Sequence, residues 1–287
     1  MDVIGGADEL SAVTDAARAA GDPVGLVPTM GALHDGHRAL IRRAVEERAS
    51  TVVSIFVNPR QFSDRDDLER YPRDEPRDLA ICEELGVEVV WVPPVDEMYP
   101  PGTTASGPDP GPIGELFEGA SRPGHFQGVL AAVHRLLEVT GECTAYFGEK
   151  DAQQLFVVRR MVATERLAAQ IVACPTVREP DGLAMSSRNG LLSGDEREQA
   201  GCLFLGLSEA AALARGGETD AHVLRAAIAR EVGATSLARL DYAEVVDDST
   251  FLSIERLARG SPARAIVAAR FPSARLIDNV ALPEAAP

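Results

Sequence analysis

His34 and His37 are separated by two residues within PTMGALHDGH (28–37), a stretch that also holds Gly31 and Gly36. Imidazolium donates to phosphate oxygens near neutral pH, and glycine lets a backbone approach a ligand closely. The pair reads either as a phosphate site at a helix N-terminus, where N–H groups and the dipole favour anions, or as solvated or capping histidines. Asp35, or the turn itself, is expected to cap the helix. No cluster of Cys, His and Asp at ligand spacing accompanies the pair, which disfavours zinc. Asn58 and Gln61, in FVNPRQF (56–62), read as turn chemistry around an Asn-Pro breaker or as amides at the polar end of an apolar pocket. FGEKDAQQ (147–154) places Lys150 in a first helical turn, where a cation opposes the dipole unless an anion is bound. MSSRN (185–189) offers two hydroxyls and a guanidinium, either as a polar loop or as a clamp on a triphosphate. No G-x-x-x-x-G-K-[ST] occurs, so the chain is not a P-loop protein.

These segments need elements to position them. Apolar runs predict strands at 24–27, 51–57, 87–92, 143–147 and 170–174, with no in–out alternation in TVVSIFV, as suits strands buried on both faces. Helical spacing predicts helices at 8–20, 36–48, 74–85, 127–139 and 152–165. The alternation implies a parallel sheet covered on both faces, with ligands at the carboxyl ends of its strands. After about residue 176 come alanine-rich helices at 194–215 and 218–232, then β-like runs at 240–246, 263–269 and 275–280. The expectation is therefore an α/β domain over 1–176 and a smaller α+β domain over 177–287. The Pro/Gly-rich stretch 93–112 is too long for a plain turn and suggests an excursion or lid; the tail ALPEAAP is expected to fray.

The net charge of −16 over 287 residues argues against nucleic acid or anionic membrane as the main partner. The four cysteines, at 82, 143, 174 and 202, form no C-x-x-C pair and suit a reducing cytosol. No signal-peptide pattern and no run of about 18 apolar residues is seen.

Together, PTMGALHDGH, SIFVNPRQF, YPRD, RPGHFQGV, YFGEKDAQQL, PTVREPDGLAMSSRN and ARLIDN resemble the AMP-forming pantoate–β-alanine ligases, the pantothenate synthetase family, in the expected order and across nearly the whole chain. The resemblance implies a nucleotidyltransferase-type Rossmann-like fold with an H-x-G-H signature, a cytoplasmic homodimer, and small-molecule substrates. It implies that ATP and pantoate form pantoyl adenylate and pyrophosphate, that β-alanine then displaces AMP, and that Mg2+ accompanies ATP. By the same resemblance His34, His37 and Lys150 are catalytic, with His37 a proton donor. ATP contacts are expected from Met30, Gly31, Ala32, Leu33, His34, Asp35, Gly36 and His37. Further ATP contacts are expected from Gly148, Glu149, Lys150, Asp151, Val177, Met185, Ser186, Ser187 and Arg188. Gln61, Gln154 and Asn58 are expected at pantoate, Gln61 also at β-alanine, and Asp78 at the metal. Tyr71, Arg122 and His125 are expected to border the path of β-alanine. The second domain, with MSSRN at its start, is expected to close over the site and exclude water from the acyl-adenylate.

Two departures from the family pattern stand out. Ala152 replaces an aromatic residue, and His134-Arg135 replaces a residue-then-lysine pair. Two rivals remain at this point: a nucleotidyltransferase that leaves the nucleotide on its product, and a paralogue that binds ligand without turnover.

Overall fold

The computed structural model describes residues 1–102 and 107–283. The chain divides into two compact units, Met1–Glu149 with Gln153–Pro175, and Lys150–Ala152 with Thr176–Pro287.

The first unit runs β1 (Asp2–Ile4), α1 (Ala7–Ala20), β2 (Val24–Thr29), α2 (Asp35–Glu47), β3 (Ser50–Ile55), α3 (Arg65–Arg70), α4 (Glu75–Glu84) and β4 (Val89–Trp91). It continues through α5 (Val95–Met98), α6 (Glu118–Ser121), α7 (His125–Thr140), β5 (Cys143–Gly148), α8 (Ala152–Glu165) and β6 (Ala169–Cys174). The six strands form one parallel sheet in the order β1-β4-β3-β2-β5-β6. This is the parallel sheet that the alternating pattern implied, in the Rossmann-like arrangement that the family resemblance implied. The order moves outward from β2 through β3 and β4 on one side, and through β5 and β6 on the other. The switch point therefore lies between the carboxyl ends of β2 and β5, where ligands of such sheets bind.

Strand β3 is buried at every position, which explains its unalternating β-branched sequence. Helix α2 lays Leu40, Ile41 and Ala44 against Val27, Val53 and Val90 of the sheet. Strand β1 has only three residues and pairs only with β4; so short a run carries no readable period. Within 93–112, α5 is formed, and residues 103–106 of that expected excursion lie outside the described residues.

The second unit holds α9 (Gly194–Gln199), α10 (Cys202–Arg215), α11 (Ala221–Gly233), β7 (Arg239–Asp247), β8 (Ala263–Arg270) and β9 (Arg275–Leu282). The strands form an antiparallel sheet in the order β7-β8-β9. Its core joins Leu203, Leu207, Leu224 and Ile228 to Val245, Ala265 and Val267. The helix expected over 194–215 is two helices, parted at Ala200-Gly201. Part of the expected tail is ordered: Ala281 and Leu282 pair with Arg264 and Ala263, and residues 284–287 lie outside the described residues.

Candidate active site

Strand β2 delivers the histidine segment to the switch point, and the turn after it is held from below. The Thr29 hydroxyl donates to the Ser54 carbonyl at 2.7 Å and accepts the Gly31 N–H at 3.2 Å. Asp78 of α4, 1% exposed, accepts the Ala32 N–H at Oδ2 and the Leu33 N–H at Oδ1, both at 2.8 Å. The backbone turns through left-handed conformations at Gly31 (φ 75°) and Ala32 (φ 50°). A Cβ on Gly31 would lie 2.8 Å from Asp78 Oδ2, so this carboxylate and the left-handed backbone both call for glycine here.

Several of the residues named from the sequence are placed here. The N–H groups of Ala32 and Leu33 are already donated to Asp78, and the Leu33 side chain is part of the sheet core. Asp78, expected at the metal, anchors this turn through both of its carboxylate oxygens. The cap of α2 is His34, whose Nδ1 accepts the Gly36 N–H at 3.1 Å, instead of Asp35, which is exposed.

The capping box of α2 also determines the histidine chemistry. His37 Nδ1 accepts the His34 N–H at 3.3 Å, closing a reciprocal pair with the His34 cap. An Nδ1 that accepts a backbone N–H carries no proton, so each neutral ring is protonated at Nε2. The ring centroids are 4.0 Å apart. The reading of capping histidines therefore holds for Nδ1, and in each neutral ring Nε2–H is the donor, which is compatible with the phosphate reading as well.

Asn58 is buried at 1% exposure, and its amide orientation is unambiguous. Its Oδ1 accepts the Arg60 N–H at 3.1 Å and the Tyr99 hydroxyl at 2.7 Å, while Nδ2 donates to the Gly128 carbonyl and to Gln61 Oε1, each at 3.0 Å. All its hydrogen-bonding capacity is used within the protein, so Asn58 orients Gln61. With Oε1 accepting, half-buried Gln61 presents its NH2. The Gln61 carbonyl in turn receives His125 Nδ1 at 2.9 Å and Arg122 Nη2 at 3.3 Å. Arg122 Nη1 also donates to His125 Nε2 at 3.1 Å, which places that ring's proton on Nδ1. Arg122 and His125 therefore brace Gln61. Tyr71 packs edge-on against Phe62 at 5.7 Å.

Sequence reasoning missed Tyr99. It lies in the Pro-rich stretch, carries Arg60 over its ring at 3.5 Å, and has its hydroxyl pKa pushed up to about 12 by burial. No spacing rule links residue 99 to residue 58.

The two glutamines of α8 separate cleanly. Gln153 is buried, accepts the Glu118 N–H, and donates to the carbonyls of Ile113 and Leu116. Gln154 is half-buried, and its amide has no protein partner among the described residues. No hydrogen bond there joins Gln154 to Gln61. Ala152 is buried in the first turn of α8.

Gly148 ends β5, and Glu149 follows it in a short 3-10 turn. The second unit holds Lys150, Asp151, Val177, Met185, Ser186, Ser187 and Arg188. Lys150 Nζ lies 3.3 Å from Asp151 Oδ1, with a side chain 20% exposed. The Met185 N–H donates to the Val177 carbonyl at 3.0 Å, clasping the loop before MSSRN. Ser186 caps the 3-10 helix Ser187–Leu191, its Oγ accepting the Arg188 N–H at 3.3 Å. Asn189 donates to the Ala184 carbonyl at 3.1 Å. Among the described residues no group of three or more His, Cys, Asp or Glu is placed to hold a metal ion, and no helix is long and apolar enough to cross a membrane.

The family model of pantoate-beta-alanine ligase matches residues 2–281. A pantothenate synthetase of Rubrobacter xylanophilus is 50% identical over 272 residues, covering 93% of each chain. The crystal structure of pantothenate synthetase from Thermus thermophilus superposes with a TM-score of 0.90 at 44% identity, over 98% of this chain and 99% of that one. A pantoate-beta-alanine ligase from Francisella tularensis, complexed with beta-gamma ATP and beta-alanine, gives a TM-score of 0.77 at 31% identity, over 98% and 97% of the two chains. Likeness of this extent in both sequence and fold, added to the motifs and the histidine geometry, establishes that the chain belongs to the pantoate-beta-alanine ligase family of enzymes.

Proposed function

We propose that this chain condenses pantoate with β-alanine at the expense of ATP, through pantoyl adenylate. A pantoate carboxylate oxygen attacks the α-phosphorus, and the bond to the bridging oxygen breaks as pyrophosphate leaves. The β-alanine amine then attacks the acyl carbon and AMP departs. The first step needs in-line positioning and neutralised charge more than covalent help.

The observation that carries this reading is the paired Nδ1 capping of His34 and His37, which makes both Nε2 atoms N–H donors at a helix N-terminus beside the switch point. Donors of that kind suit the α- and β-phosphates and the leaving pyrophosphate. His37 acts as the proton donor. From the first unit, Met30, Gly31, Asp35, Gly36, Gly148 and Glu149 line the nucleotide, and Gln61 and Gln154 bond pantoate; Gln61 also meets β-alanine. From the second unit, Lys150, Ser186, Ser187 and Arg188 serve the phosphates, Asp151 the ribose or its surroundings, and Val177 and Met185 the adenine.

Magnesium enters with ATP as part of the substrate. It typically keeps several waters and uses substrate phosphates, and both Asp78 oxygens accept backbone N–H groups. The four cysteines are unpaired and buried, which suits a reducing cytoplasm. A homodimer is the assembly proposed, checked by sedimentation.

Incubation with ATP, pantoate and β-alanine should yield pantothenate, AMP and pyrophosphate in equal amounts. Release of pyrophosphate should need pantoate but not β-alanine. Absence of AMP and pyrophosphate overturns the ligase reading, and a product that retains the nucleotide transfers the chain to the nucleotidyltransferase class.

A further inference from the structure

The string ARLIDN (274–279) has no part in the reaction described above, although it belongs to the pattern by which the chain resembles its family. Its last residue touches a residue that does take part. Asn279 of β9, 4% exposed, donates from Nδ2 to the Lys150 carbonyl at 2.9 Å, across 129 residues of sequence.

The Asn279 amide is itself held rigidly. Its Oδ1 accepts Arg264 Nη1 at 2.5 Å, and Arg264 Nε and Nη2 reach Asp248 Oδ1 and Oδ2 at 2.8 and 3.2 Å. Its backbone is fixed in the β8–β9 ladder opposite Ile266, and its carbonyl accepts Arg178 Nη2 at 3.2 Å. Arg178 pairs with both oxygens of buried Asp278, at 2.6 and 3.0 Å. The guanidinium only donates and the peptide carbonyl only accepts, so the group between them must do both. Asparagine does so at this length. Aspartate has no donor, and glutamine is one methylene longer.

The division of the chain reflects the same contact. Lys150–Ala152 group with the C-terminal unit, whereas Glu149 before them and Gln153 after them belong to the sheet unit. We infer that Asn279 is a positioning residue for Lys150, fixing its backbone so that the ammonium is presented to the ATP phosphates. This rests on the phosphate role proposed above for Lys150. A lysine stem has several rotatable bonds, and anchoring the backbone at its root shrinks the volume that Nζ explores. Misplacement of about 1 Å in such a group costs on the order of 10²-fold in rate.

The test is a double-mutant cycle on pantoate-dependent pyrophosphate release by the full chain, with Lys150→Ala, Asn279→Asp and the double variant. Asn279→Asp keeps the size and the Arg264 contact but removes the donor to the Lys150 carbonyl. It should lower kcat by roughly ten- to hundredfold while the KM for pantoate stays within about twofold. In the double variant the rate should fall within about twofold of Lys150→Ala alone, because coupled residues are not additive. Fully multiplicative losses would mean a general structural effect and overturn the proposal. So would a wild-type rate for Asn279→Asp alongside an impaired Lys150→Ala. A wild-type rate for Lys150→Ala would remove the phosphate role of the lysine, and the proposal with it. If Asn279→Asp does not fold, Asn279→Ala enters the same cycle with the same outcomes.

Discussion

Replacing Asp78 with asparagine should loosen the histidine turn without touching a histidine. The aspartate receives two N–H donors at 2.8 Å, one on each oxygen, at a site 1% exposed. Bonds to a charged acceptor contribute about 1.5–3 kcal/mol each, and a stranded buried donor costs about 1–3 kcal/mol. Asparagine keeps one bond, now neutral, and turns its own NH2 toward the other N–H. Removing a buried charge recovers part of its desolvation, so the net loss should be about 2–4 kcal/mol. For a unit of this size that lowers the melting temperature by roughly 5–15 °C. The left-handed turn at Gly31 and Ala32 is then free to relax, and it carries the α2 cap with it. Pyrophosphate release should fall on the order of 10²-fold. The control is Asp74→Ala, which removes the N-cap of the same helix and should cost only about 1 kcal/mol. Calorimetry and the pyrophosphate assay read both variants. If Asp78→Asn melts no lower than Asp74→Ala and turns over at the wild-type rate, the carboxylate does not hold the turn.

Other outcomes follow from the same geometry. His37→Ala should lower the rate by roughly 10²–10³, the scale for one charge-stabilising donor; near-wild-type turnover would defeat its assigned role. Gln154→Ala should raise the KM for pantoate and leave that for ATP unchanged, and an unchanged pantoate KM contradicts the assignment. Tyr99→Phe removes one bond to Asn58 Oδ1 and should raise the pantoate KM about three- to tenfold, given about 1 kcal/mol per neutral bond; a larger effect on ATP than on pantoate would be the wrong sign. Glu196 closes the capping box of α9 opposite Ser193 and receives Ser193 and Ser273 donors, with the Ser193 backbone foremost, and its pKa falls from 4.5 to about 2. A depressed folded pKa means stability fully present above about 4.5 and lost as the pH falls toward 2. Acid titration of Glu196→Gln should therefore show a flatter loss over that window than the parent does.

The order of elements in both units is legible in the residues themselves, because long buried strands are continuous apolar runs and amphipathic helices repeat a period along the chain. The exceptions are short or interrupted elements. Three-residue β1 has no period to read, and the polar α9 (GDEREQ) has no apolar spacing to mark it off from α10 at Ala200-Gly201. The chemistry of individual motifs stays open at that level, since a histidine pair caps or binds according to what its two nitrogens touch. The seven-segment pattern taken together points to the family; no single segment does.

Residue type and local order are properties of the chain, and they determined that histidines, amides and a lysine follow strand ends and that a Ser-Ser-Arg loop follows the last strand of the parallel sheet at some distance. Partnership across the fold is not written in spacing. Only the tertiary structure decided that Asp78 takes the Ala32 and Leu33 N–H groups. The same holds for Tyr99 and Asn58 turning the Gln61 amide, and for Asn279 holding the Lys150 carbonyl. The physical reason is common to all three. A buried donor or acceptor must be satisfied by whatever group the packing brings within about 3 Å, and packing joins residues tens to more than a hundred positions apart.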